Sequence, residues 1–377
     1  MAWSLVQMAP IGLVIPSMQS AMPAQESVSL SIAPAATWSA FMKTFSYGVF
    51  LYLAIQTLGR MSSKFVISFI FYTITFYAFY SVTALYMLGD TILFFEKWDY
   101  LGAATGTFVN RNSFALYLGM GVVLGAALLV DSIMRYKRRE IGERSEGILY
   151  LLLTQLVAAA LLATQSRMGA FAAFAGLVVV LAIIVLKHNR SWQWLLAFAL
   201  GLAAFSLLGF WFYGAETLQR FEVAGEAAQL RMTLYAQIVE MILQRPWTGY
   251  GGGTFEYAFP LYHQPSFATD VVWDKAHSTY LTLVVEDGIL AGLATLSIFL
   301  ILIARILMHI VLANEYRMAP TAAFGVIVVA AVHSTVDFGL EIQANMFTLL
   351  AIIAVGIASR ANGEAKARLV GGRHAFT

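Results

Sequence analysis

Cysteine is absent from these 377 residues. That excludes disulfides, thiolate metal sites and cysteine nucleophiles. Charge is scarce as well. Asp, Glu, Lys and Arg make up 12% of the chain, against roughly 25% in a soluble domain. No D-x-D pair, no H-x-x-x-H and no Cys/His set occurs, so no dedicated metal site is legible and none is expected. A G-x-S-x-G nucleophile elbow is missing too. No series of carboxylates is buried in mid-span, as a proton pump would need. A net charge of +2, with the basic residues in short loops, gives no footprint for nucleic acid.

Apolar residues, at 60%, fill the space that charge leaves. They form repeated blocks near the ~20 residues that cross a bilayer. The chain therefore reads as an all-α, polytopic helical membrane protein, one membrane domain over 1–377. About ten transmembrane helices are expected, near 1–18, 38–58, 65–88, 112–131, 147–165, 169–187, 192–213, 288–307, 320–336 and 344–360. The first block, "MAWSLVQMAPIGLVIPSM", has no basic lead. It reads as a span rather than a signal peptide.

Lys and Arg set the orientation. Arg60 and Lys64, the run "RYKRRE", "KHNR", Arg305, Arg317 and the tail from Arg360 to Arg373 hold most of the 23 basic residues. These fall on one side, the cytoplasm. The other side receives the basic-poor segments and a long, partly helical loop, 214–287. In that loop "RMTLYAQIVEMILQ" is an amphipathic helix. Thr233, Gln237, Glu240 and Gln244 share one face. Arg231 falls on the other, with Tyr235, Ile238 and Ile242, so it points inward. Pro246 ends the helix.

Five arginines lie on the side that disfavours them: Arg111, Arg167, Arg220, Arg231 and Arg245. Each has a plain reading as an interfacial anchor with a snorkelling stem. Together they suggest a cluster that grips an anion, because a guanidinium pairs bidentately with phosphate or carboxylate. The run "GYGGGTF" is a flexible turn in its plain reading; in the other, the amides of Gly251 and Gly252 serve the same anion. It lacks the Gly-Lys-Ser/Thr of a P-loop and the spacing of a dinucleotide fold. In "DKAHSTYLTLVVEDGIL" the residues His277, Tyr280, Leu281 and Val284 would share a helical face. His277 is then either a structural histidine or a base in the external loop. In "HSTVDFGLEIQ", His333, Asp337 and Glu341 are spaced by four and would also share a helical face.

These pieces, in this order, resemble the O-antigen ligase and O-antigen polymerase family of bacterial inner-membrane glycosyltransferases. The resemblance rests on "LVQMAP", "SIAPAATW", "GTFVNRNSFALYLGM", "SRMGA", "RMTLYAQIVEMILQRPWTGYGGGTF", "KAHSTYLTLVVEDGI" and "HSTVDFGLEIQ". It implies glycan transfer on the periplasmic face of the inner membrane. The donor would be a glycan on undecaprenyl diphosphate. The acceptor would be lipid A-core, another lipid-linked glycan or a protein side chain. No cofactor and no metal would be needed. Carried over by motif, Arg167 and Arg231 would hold the diphosphate and His277 would serve the acceptor hydroxyl. Arg111, Arg220, Arg245, Gly251, Gly252, Tyr280, His333 and Asp337 would help bind donor or acceptor. The family often has Asn after the histidine, where this chain has Ser278. Its members usually carry more spans, so its first helices are expected to be missing here. A small-anion transporter is the alternative that external arginines would also suit, and a structural membrane subunit is a third.

Overall fold

The computed structural model describes residues 1–10, 29–137, 142–187, 230–263 and 273–373. The span expected at 192–213, residues 11–18 of the first span and Arg220 lie outside the described residues. The helices are α1 (Ala2–Met8), α2 (Pro34–Leu58), α3 (Ser63–Met87), α4 (Arg111–Lys137), α5 (Glu143–Ala163), α6 (Arg167–Lys187), α7 (residues 230–244), α8 (Phe255–Ala258), α9 (Thr279–Val311), α10 (Met318–His333) and α11 (Gln343–Arg373). Strands β1 (Thr91–Ile92) and β2 (Phe95–Glu96) form one small hairpin between α3 and α4. The all-α membrane reading holds. Among the described residues, five helices (α3, α4, α5, α6 and α9) are long and apolar enough to cross a bilayer.

Local sequence sets the helix starts. The Asn110 carboxamide oxygen accepts the N–H groups of Asn112 and Ser113 at 2.8 and 3.0 Å, capping α4. The Ser166 hydroxyl accepts from the N–H of Gly169 at 3.2 Å and does the same for α6. As the proline requires, α7 stops two residues short of Pro246.

The chain divides into two compact units. The bundle unit holds Phe50–Leu208, Ile301–His333 and Gly339–Thr377. Its centre is α4, whose first turns from Phe114 to Leu124 are buried throughout. Lipid gives no hydrophobic push between helices, so close backbone approach must hold them together. Glycines supply it. A Cβ on Gly169 would lie 2.4 Å from that of Ala115, and one on Gly176 would lie 2.5 Å from Val329 and 2.8 Å from the Gly325 carbonyl. These contacts run in order: Ala115 at Gly169, Gly119 at Ala173, Val123 at Gly176. Helices α4 and α6 are therefore parallel and start level. Helix α10 runs the other way, with Gly325 at Val123 and Val329 at Gly119. Its last residue, His333, emerges at the end where α4 and α6 begin. Lys187, at the opposite end of α6, donates to the carbonyls of Val311 and Ala313 at 3.0 and 2.8 Å. We expect Gly176→Val to lower stability in detergent by about 1–3 kcal/mol, the usual range for overpacking. An unchanged melting temperature would contradict this packing.

The cap unit holds Met1–Val49, Gly209–Leu300 and Ser334–Phe338. Leu234, Ile238 and Met241 of α7 pack on Tyr250, Phe255, Phe259, Ala276 and Val285. The inward face of α7 carries Tyr235, Ile238 and Ile242, as its pattern predicts. Gln237 departs from the expectation: it is buried rather than on a solvent face. The cause is its place in the same three-four row as Leu234 and Met241.

Candidate functional site

Within the cap unit, the glycine run closes on a break in α9. Gly288 sits at φ 80°, ψ 165° inside that helix. The broken turn leaves backbone groups to satisfy, and the loop after α7 satisfies them. The Tyr250 and Gly251 N–H groups donate to the carbonyls of Val285 and Glu286 at 3.1 and 2.9 Å. The Ile289 N–H donates to the Pro246 carbonyl at 2.8 Å. A Cβ on Gly249 would lie 2.2 Å from the Glu286 carbonyl oxygen, and one on Gly288 would lie 2.4 Å from that of Trp247. Only bare backbone fits at both. Glu286 closes the loop with its carboxylate, which accepts the N–H groups of Gly253 and Phe255 at 2.7 and 3.1 Å. The buried Gln7 side chain adds donors to the carbonyls of Thr248 and Glu286 at 2.8 and 2.9 Å.

This clasp bears on the anion reading of the run. The Gly251 amide is committed to the Glu286 carbonyl, so it is not presented to an outside ligand. Gly252 is buried beside Ala40. Arg245 lies over the Tyr250 ring at 4.9 Å and donates weakly to the Leu30 carbonyl at 3.4 Å. The Tyr250 hydroxyl pairs with that of Tyr262, which donates to Gln244 at 2.8 Å. Arg245 thus braces the clasp.

His277 lies outside α9, which corrects its expected place on one helical face with Tyr280. It sits two residues before the helix, at φ 50°. The physical reason is the start of α9. The Thr279 N–H bonds the carbonyls of Ser334 and Asp337 at 3.1 and 3.3 Å, and its hydroxyl bonds that of Asp337 at 3.2 Å. The 334–338 connection thereby fixes where the helix begins, and His277 must reverse the chain just before it. A histidine in left-handed backbone costs free energy unless its surroundings hold it there. Tyr235 of α7 does so, donating its hydroxyl to the His277 carbonyl at 2.9 Å. Trp273 and Phe338 meet the imidazole edge-on, at ring centroid distances of 5.8 and 5.4 Å.

The ring is half-buried, and its Nδ1 has no hydrogen-bond partner among the described residues. Burial pushes its pKa down to about 4; the nearby Arg231 charge lowers it further and Asp274 opposes. The imidazole is therefore neutral near pH 7, with a lone pair to accept a proton. Burial also raises the Tyr235 phenol, with Arg231 opposing and Asp337 adding. Arg231, Tyr235, His277 and Asp337 are thus one electrostatic group. Tyr280, half-buried, is the second residue of α9. Exchanging Arg231 for Gln should raise the His277 pKa, and Asp274→Asn should lower it, as read by ring proton shifts on titration. No movement in either variant would remove the coupling. The sign for stability follows: an unfolded histidine takes its proton near 6.5, whereas the folded one waits until about 4. The cap therefore loses stability as pH falls through that window, and the histidine adds no slope above it.

Asp337 is buried in the connection after α10, and Glu341 lies in a short 3-10 turn (Gly339–Glu341). The expected common helical face for His333, Asp337 and Glu341 is overturned. The helix ends at His333 because the Ser334 and Asp337 carbonyls bond Thr279 rather than N–H groups farther along.

In the bundle unit, Arg111 and Arg167 are the first residues of α4 and α6. Their helices start level, so both stand at one end. The link between them is direct. The Ala104 N–H donates to the Ala163 carbonyl at 2.8 Å, and the Gln165 side chain donates to that of Gly102 at 2.9 Å. Arg111 lies over the Tyr100 ring at 5.4 Å, and Arg167 is exposed. A cation at a helix N-terminus works against the dipole, by roughly 0.3–1 kcal/mol each. Two guanidiniums and two N-termini at one end make a place suited to an anion. His333, fully buried, emerges at the same end.

Sequence reasoning missed Asn345. It is buried, and donates to the carbonyls of Ser113 and Gly339 at 2.9 and 2.8 Å. No spacing rule marks a single Asn. Tyr235 as the holder of His277 was half visible, since it follows Arg231 by four on one face.

Residues 150–296 match the family profile described as O-antigen ligase. That stretch contains Arg167, Arg220, Arg231, Arg245, Gly251, Gly252, His277 and Tyr280, and excludes Arg111, His333 and Asp337. No curated protein matches the chain.

Proposed function

With residues 150–296 identified as an O-antigen ligase family region, we propose that the protein is a glycosyltransferase that moves a glycan from undecaprenyl diphosphate to an acceptor. It would act at the periplasmic face of a bacterial inner membrane. The observation that carries this reading is the Arg231 charge of α7 acting on His277, a neutral imidazole whose Nδ1 has no hydrogen-bond partner among the described residues. An anion-binding cation beside a free base is what glycosyl transfer from a diphosphate requires.

The chemistry follows from these groups. The acceptor hydroxyl oxygen bonds the sugar C1. The C1–O bond to the diphosphate breaks, and the bonding electrons leave with the lipid diphosphate. Arg231 and Arg167 receive that growing negative charge, and fixed donors aimed at developing charge lower the barrier. Two guanidiniums can stand in for a divalent cation, so the reaction is metal-independent in this account. His277 takes the hydroxyl proton. Arg111, Arg220, His333 and Asp337 contribute to donor and acceptor binding, and lipid tails lie between the spans.

The test is a reconstituted reaction with a lipid-diphosphate glycan and, in turn, lipid A-core, a second lipid-linked glycan and a protein acceptor. Product is expected with one of them. A single addition identifies a ligase, and a ladder a polymerase. No product with any acceptor, with uptake of a small anion into the proteoliposomes instead, would replace the reading with a transporter. In the same assay Arg167→Lys should be impaired at least tenfold, because a point charge does not replace a planar fork. Full activity in that variant would remove bidentate binding.

A further inference from the structure

The hairpin between α3 and α4 presents a face that no intramolecular packing explains. Thr91 pairs with Glu96 and Ile92 with Phe95. Leu93, Phe94, Phe95, Trp98 and Leu101 all point outward, with Phe94 96% and Trp98 72% exposed. This cluster is anchored from below by hydrogen bonds. Lys97 beneath it is buried, and its ammonium donates to the Asp90 carboxylate at 2.9 Å and the Ala103 carbonyl at 2.6 Å. The other Asp90 oxygen accepts the Gly102 N–H at 2.7 Å. Leu93 sits at φ 54°. A bulky residue in that region is an outlier that glycine or asparagine would relieve. The turn keeps a leucine there at a conformational cost, which points to a use for its side chain.

Depth decides what covers this face. The Leu93 N–H donates to the Tyr80 hydroxyl at 2.6 Å. Tyr80 lies about two turns before the end of α3 at Met87, or roughly 10 Å along its axis. The hairpin therefore folds back beside the span instead of rising above it. It continues the exposed apolar side of α3, where Phe76, Phe79, Tyr86 and Met87 face outward. In a membrane-spanning helix that side faces lipid. Aromatic side chains favour the boundary between headgroups and acyl chains.

We propose that the 91–98 hairpin is a lipid-binding element seated in the bilayer interface, with Phe94, Phe95 and Trp98 among the headgroups and upper acyl chains. Its ligand is the lipid surface itself. The same loop carries Tyr100 beneath Arg111 and ties Gly102 to Gln165, two residues before Arg167. The hairpin thus sets the depth of both arginines against the headgroup layer. On the proposed function, that is the layer where a lipid-borne diphosphate lies.

The chain has no cysteine, so a single introduced thiol can be labelled cleanly. Phe94→Cys and Leu101→Cys alter exposed side chains and should fold. Each is labelled with a small environment-sensitive fluorophore in the full chain, in vesicles of phosphatidylethanolamine and phosphatidylglycerol. Nitroxide-bearing lipid should quench both labels at least twofold, while aqueous iodide has little effect. The exposed Glu256→Cys of the cap unit should show the reverse order. Quenching by iodide alone would overturn the proposal by placing the tip in water. Resistance to both quenchers would overturn it too, because protein, such as a second copy, would cover the tip. The readout needs no transfer activity, so it stands or falls apart from the enzymatic reading.

Discussion

Arg231→Ala is expected to lower glycan transfer at least tenfold and toward a hundredfold, with membrane insertion intact. The magnitude comes from the role. Removing one preorganised donor to a developing oxyanion typically costs about 10²–10³ in rate. The side chain is positioned for that role by α7, whose same inward side buries Leu234, Ile238 and Met241 in the cap core. The loss should appear in turnover, since the diphosphate gains charge as the C1–O bond breaks. A second effect follows from the same group: without the guanidinium, a charge that lowers the His277 pKa is gone. The acid limb of the pH profile should therefore move upward in Arg231→Gln, which keeps much of the side chain's bulk. Transfer within twofold of the unaltered protein would discard the diphosphate role. Steady-state rates with a fixed acceptor and varied donor make the measurement.

His277→Ala should be at least as damaging, since positioned acid–base groups contribute about 10²–10⁴. Here turnover should fall far more than donor binding, because the base acts on the acceptor oxygen. The neutral imidazole is available across the physiological range, with its pKa near 4. The unaltered enzyme should therefore keep its activity well below pH 6 and lose it as the ring protonates. Tyr235→Phe provides the companion measurement. It removes the hydrogen bond to the His277 carbonyl while leaving the ring chemistry in place, and a smaller loss is expected. If His277→Ala abolished donor binding but left the turnover of bound donor unchanged, the histidine would not be the acceptor's base.

The apolar spacing of the spans was legible, because a segment that must hide its backbone in lipid has to be helical and long. Residues 63–87, 111–137 and 167–187 follow it closely. The inward face of α7 and its stop before Pro246 were legible for similar local reasons. The positions of His277, Asp337 and Glu341 were not. Their spacing suits a helix, but the Thr279 bonds to the Ser334 and Asp337 carbonyls set the boundaries. Such a contact joins residues more than fifty positions apart, and no local pattern carries it. The glycine run gives the same lesson. Its sequence suits an anion nest or a turn, whereas in the fold it wraps the break at Gly288. Only the partner strand of backbone, invisible in the run itself, decides between the two.

The most direct measurement is binding of undecaprenyl diphosphate, without sugar, to the full chain in nanodiscs containing a metal chelator. Tight binding without divalent cation, weakened at least tenfold in both Arg167→Ala and Arg231→Ala, is the expected result. Binding that appears only when magnesium is restored, and that is equal in the unaltered protein and both variants, would contradict it.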